Sequence, residues 1–156
     1  MMTPDFSAYA VGVDVHLDCP VAPKEICSAI EDLLGHIARE CDRAGATLIG
    51  HIKSVVETDG QGFLGVSVID PTGEATFRGE LQEGITQMDI IINVLLYGLT
   101  KDRLQGLVDP LVRKYLVFPG GEIELKGLEE CHDHDHGGHH NGHECDDHEC
   151  HSCDHC

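Results

Sequence analysis

Two periods run along the first 118 residues. Val11, Val13, Val15 and Leu17 alternate with Asp14, His16 and Asp18, the period of a strand with one buried and one wet face. Pro23 suits a first helical position. Ile26, Ile30, Leu33, Leu34, Ile37 and Cys41 then recur at helical spacing up to Gly45, which predicts an amphipathic helix. Segments 46–57, 62–69 and 74–81 read as three strands. They are joined by Asp59-Gly60 and by Asp70-Pro71-Thr72-Gly73, both with hairpin turn chemistry. Segment 85–98 is apolar on nearly every side, with Ile90, Ile91, Ile92, Val94, Leu95 and Leu96 in close succession. It reads as a helix central to the fold or lying at a two-fold interface, which is the basis for expecting a homodimer. Leu104, Leu107, Val108, Leu111, Val112 and Tyr115 continue at helical spacing, with Pro110 kinking or restarting the helix.

The expected order is therefore β-α-β-β-β-α-α. Strands in one block with helices gathered on one face predict an α+β two-layer sandwich with a mainly antiparallel sheet. This body spans 1–118. Residues 119–130, opened by Pro119-Gly120-Gly121, read as a linker.

From Cys131 the composition changes. The run CHDHDHGGHHNGHECDDHECHSCDHC holds nine His, five Cys and seven acidic residues. Imidazole nitrogen and thiolate sulfur are preferred ligands of zinc and the late first-row divalent ions, and carboxylates fill remaining positions. The candidate metal ligands are Cys131, His132, His134, His136, His139, His140, His143, Cys145, His148, Cys150, His151, Cys153, His155 and Cys156, enough for about three four-coordinate sites. The first half is His-rich and suits Ni(II), Co(II), Cu(II) or Zn(II), whereas the Cys-rich second half favours Zn(II) or Cu(I). Almost nothing apolar is present to bury, so 131–156 is expected to be a disordered, flexible tail without metal. A solubilising terminus has no need of so many ligands, and a purification tag is an uninterrupted His run. The C-x4-C-x2-C spacing of Cys145, Cys150 and Cys153 matches plant-type iron–sulfur ligands, but the residues between them are charged, His or Ser and offer no shielding pocket.

Charge narrows the partners. The net charge is −18, shared equally between residues 1–128 and 129–156. Neither part has the excess of cations that phosphate backbones or anionic lipid would require, so no nucleic-acid or membrane partner is expected. The N-terminus lacks the basic and apolar regions of a secretory signal, and the apolar stretch from Ile90 to Leu99 is too short to span a bilayer. A cytoplasmic protein is expected, where eight cysteines point to metal or redox chemistry before disulfides.

The tail resembles the His-rich or Cys/His-rich extensions of nickel accessory proteins: the urease accessory metallochaperone, the hydrogenase maturation GTPase and the FKBP-type prolyl isomerase with a Cys/His tail. The resemblance covers residues 131–156 and rests on composition. The body has no G-x-x-x-x-G-K-[ST] loop and does not align with an FKBP domain. What the resemblance implies is a metal-handling role with Ni(II) as the leading ion, Zn(II) or Co(II) as others, and a client metalloenzyme or its maturation machinery as partner. The competing reading is a zinc-dependent interaction module folded around the Cys-rich end.

The body offers little else. Gly60, Gly62 and Gly65 satisfy G-x-G-x-x-G, but Val66-Ser67-Val68-Ile69 continues as strand where a dinucleotide site needs a helix. His148-Glu149-Cys150-His151 has the wrong spacing for H-E-x-x-H. Asp14, His16, Cys19 and His51 would form a body site only if their strands are neighbours. Asp14 and Asp18 share a strand face without an identifiable pocket. Cys27 and Cys41 read as packing residues and His36 as a surface residue. No catalytic constellation is found, and no enzyme is expected.

Overall fold

The computed structural model describes residues 6–128. Its elements are β1 (Phe6–Val21), α1 (Pro23–Arg43), β2 (Leu48–Thr58), β3 (Gly62–Val68), β4 (Ala75–Leu81), β5 (Ile85–Tyr97), α2 (Lys101–Tyr115) and β6 (Gly121–Gly127). The fold is α+β. Six strands form one sheet in the order β4-β3-β2-β5-β1-β6, and every neighbouring pair is antiparallel.

The first strand and helix form where the periodicity places them. Along β1, Val11, Val13, Val15 and Leu17 are buried. Pro23 opens α1, and Ile26, Ile30, Leu33, Leu34, Ile37 and Cys41 make its buried stripe. The meander β2-β3-β4 also forms. Its second turn is set by Asp70, whose carboxylate accepts from the Thr72 amide at 2.8 Å, and by Gly73 at φ +74°. A Cβ on Gly73 would stand 3.0 Å from the Cα of Gly35, so this turn lies against α1 through two glycines that allow the backbones to approach.

Two expectations are corrected. Segment 85–98 contains strand β5, not a helix, and β5 is an interior strand paired with β2 on one side and β1 on the other. Ile90, Ile92, Val94 and Leu96 are buried while Ile91 is 36% exposed, which is period 2. An interior strand covered on one face and half-covered on the other reads as a continuous apolar run. Its β-branched residues decide in favour of strand. The homodimer expectation loses the helix on which it stood. The second correction is the linker. Within 119–130, residues Gly121–Gly127 form β6, an edge strand on β1 whose Glu122, Glu124 and Lys126 alternate with Ile123 and Leu125. Charged side chains are a common feature of strands at a sheet edge. The observed order is thus β-α-β-β-β-β-α-β.

α2 starts at Thr100, whose hydroxyl accepts from the Arg103 amide at 3.3 Å, and it continues through Pro110 to Tyr115. Leu104, Val108 and Val112 bury its apolar stripe. The Tyr9 hydroxyl donates to the Asp109 carboxylate at 2.5 Å, tying β1 to α2. Burial first, and that hydrogen bond second, push the Tyr9 phenol well above its ordinary range. The half-buried His36 ring of α1 meets the Tyr115 ring of α2 at 4.4 Å, and its Nδ1 lies 2.7 Å from the Asp32 carbonyl oxygen. Expected as a plain surface residue, it is a joint between the two helices.

Candidate functional site

The fourteen candidate ligands from Cys131 to Cys156, and the expected disorder of that tail, lie outside the described residues. The site geometry concerns the body.

Alternation along the strands sends one set of side chains into the core with the helices and the other to the opposite, open face. On that open face a line of carboxylates crosses four adjacent strands. Glu124 of β6 pairs with Asp14 of β1, Asp14 with Asp89 of β5, and Asp89 with Glu57 of β2. Neighbouring strands lie about 4.8 Å apart, so four acids occupy roughly 14 Å. His16 follows in the next row, between Glu122 and Gln87. Shallow clefts flank the line: one of about 320 Å³ includes His16, Asp18 and Glu122, and one of about 240 Å³ includes Glu57, Asp59 and Asp89.

Like charges placed directly opposite on paired strands repel, and the line relieves this in two ways. Lys126 forms an ion pair with Asp14. The hydrogen bond to Lys126, followed by that to Asp89, holds the Asp14 carboxyl below its ordinary value. Asp89 moves the other way: its hydrogen bond with Asp14, then desolvation and the Asp14 charge, raise it. Lys126 is raised by its contact with Asp14.

His16 and His51 do not converge. β5 separates their strands, and the β1 residue level with His51 is Ala8, through Leu95. Ala8 to His16 spans about 26 Å of strand. Asp14 takes Asp89 as its carboxylate partner, not Asp18. Cys19 is exposed and lies in the irregular stretch between His16 and Val21. Burial pushes the Cys41 thiol up to about 11 and raises Cys27 for the same reason, as fits packing residues. Desolvation lowers His51, with Lys53 adding to the effect. Gly60 and Gly62, at φ +84° and +89°, belong to the β2-β3 hairpin. Among the described residues, no group of three or more His, Cys, Asp and Glu side chains is placed to hold a metal ion. The acids lie along a line and do not surround a point; what they supply is a negative strip that attracts cations.

Asp89, Glu57, Glu124 and Lys126 were not singled out from the sequence. The available signal was the polar spacing Gln87, Asp89, Asn93 within an apolar run, which fits alternate positions of a strand. Their alignment needed the register.

The other end of the open face carries exposed apolar side chains beside His51. Phe6, Leu48 and Ile69 are exposed, and the Phe6 and Tyr97 rings meet at 5.3 Å.

No helix among the described residues is long and apolar enough to cross a membrane. The chain matches no family model, no curated protein and no solved structure.

Proposed function

We propose that this is a cytoplasmic metal-binding protein, a nickel metallochaperone or storage protein, whose C-terminal array captures divalent ions and passes them to a client metalloenzyme. The observation that carries this reading is the density of nine His and five Cys in residues 131–156. Capture uses neutral imidazoles and thiolates, retention uses multidentate coordination, and transfer proceeds by stepwise ligand exchange. The interspersed carboxylates raise the local cation concentration and act as weak intermediate ligands. In this reading the body is a two-layer sandwich that serves for docking, and of its three thiols Cys41 is buried and Cys27 half-buried, which keeps them from metal exchange, while Cys19 is exposed. The body's acidic strip supports the reading only as a cation-attracting surface.

The test is anaerobic calorimetric titration of Ni(II) and Zn(II) into the reduced full chain and into a chain ending at Leu128. Binding of two or more Ni(II), lost on truncation, is expected. Because imidazoles coordinate only when unprotonated and have an ordinary pKa of about 6.5, acidification to about pH 5 should release the His-bound ions. A single tight Zn(II) would favour the zinc-dependent interaction module, and binding unchanged by truncation would move the function into the body.

A further inference from the structure

The open face is not acidic throughout. Ten Lys and Arg stand against 28 Asp and Glu in this chain, yet two of the ten, Lys53 of β2 and Arg78 of β4, border one concavity of about 470 Å³. Its walls come from three adjacent strands. Lys53 is level with Ser67 and Ser67 with Thr76, while Val55 is level with Gly65 and Gly65 with Arg78. The two cations therefore stand diagonally across β3, about 12 Å apart at their backbones by ordinary sheet spacing. Their long, flexible stems can lean over Gly65 and Ser67 to meet one anionic group. No carboxylate among the described residues ion-pairs with either cation. Glu57 and Glu80 flank Phe63 in the next row, but neither borders the concavity.

Gly65 forms the floor. It lies inside β3, paired on both sides with no break in register, so no bulge accounts for it. Its backbone is outside the left-handed region, and a Cβ there would meet nothing closer than the Arg78 carbonyl oxygen at 3.7 Å. A side chain would thus fit, and it would strengthen a strand that glycine weakens. A glycine that neither backbone nor packing requires leaves the floor bare, and a bare strand interior is a mark of close approach by a ligand. Around this floor stand two kinds of wall. Val55 and the exposed Phe63 are apolar. Lys53 and Arg78 supply charge, and the Ser67 and Thr76 hydroxyls supply further donors. The volume suits a small organic molecule.

We propose that this concavity binds a small amphiphilic anion, a flat apolar body bearing a carboxylate or phosphate. The body rests on Gly65 against Phe63, and the charge is held between Lys53 and Arg78. This site lies outside the metal-handling reading and stands whatever the tail binds.

Titration of the metal-free full chain with 2-naphthoate and with 2-naphthyl phosphate, followed by amide NMR shifts, tests it. Saturable shifts at Gly65 and Ser67 are expected with either probe, and the tighter of the two identifies the headgroup. Lys53→Gln and Arg78→Gln should each weaken binding about tenfold, the loss of one charge-assisted hydrogen bond. Gly65→Val should abolish binding by filling the floor, while thermal stability holds or rises. Lys114→Gln on α2 removes the same charge away from the concavity and should leave affinity unchanged. Equal weakening by Lys114→Gln would overturn the proposal, as would binding that persists in Gly65→Val. Inorganic phosphate binding as tightly as naphthyl phosphate would overturn it too, because the apolar walls would then contribute nothing. Absence of saturable shifts with both probes ends it outright.

Discussion

The two faces of the sheet are made by the same six strands and obey opposite rules. On the helix side, Ile52, Val56, Ile90, Ile92, Val94 and Leu96 are completely excluded from solvent, and the core continues into Ile30, Leu33, Leu34 and Ile37 of α1. On the open side, Lys53, Val55, Ile91, Asn93 and Leu95 alternate with those of β2 and β5, and the carboxylates of Glu57 and Asp89 follow in line toward one end. The covered face holds the fold together. The open face carries features for which stability gives no reason, such as four carboxylates in line.

Ile91 and Ile92 of β5 give the largest contrast between the faces. Ile92→Ala should cost about 2–5 kcal/mol, because it empties a sealed site, while Ile91→Ala should cost well under half as much. Urea unfolding of the two variants checks this, and equal losses would contradict the strand register. A smaller effect probes the covered face for a defect. The Ser54 hydroxyl is buried without a partner, between Val66 and Ile92 on the neighbouring strands. Ser54→Ala should therefore raise stability by about 1 kcal/mol, read in the same unfolding experiment, and a loss would mean that the hydroxyl has found a partner such as water.

The smallest effect belongs to the open face. Asp89 is raised in the folded protein, so its contribution is full below its ordinary pKa and is lost as pH rises through the raised value. Asp14 is lowered, so its contribution is present above its ordinary value and lost as pH falls through the lowered one. Asp89→Asn should raise Tm by about 2 °C at pH 7 and change it little at pH 3. Thermal unfolding across that range decides it; a variant destabilised at pH 7 would show that the ionised Asp89 carboxylate is favourable there.

Much of the fold was legible in local pattern. α1 followed from the stripe Ile26 to Cys41 after Pro23, and the β2-β3-β4 meander from its turn residues. β5 was misread because the residues on both its faces are largely apolar, so that period 2 and period 3.6 fit nearly alike until the β-branched residues are weighed. β6 was passed over because its flanking glycines and alternating charges resemble a linker. The misreadings carried over to the site: with 85–98 taken as a helix, Asp89 had no reason to lie beside Asp14, and His16 and His51 seemed free to approach each other.

The sequence by itself determined the α+β class, a helix running from Pro23 toward Gly45, another through Leu104 to Tyr115, and the concentration of His and Cys after residue 130, because each depends on residue type and spacing within one segment. The tertiary structure alone decided strand order and register. It thereby aligned Glu124, Asp14, Asp89 and Glu57 and held His16 and His51 far apart. Pairing across a sheet joins residues distant in sequence, and no local period records which strands become neighbours.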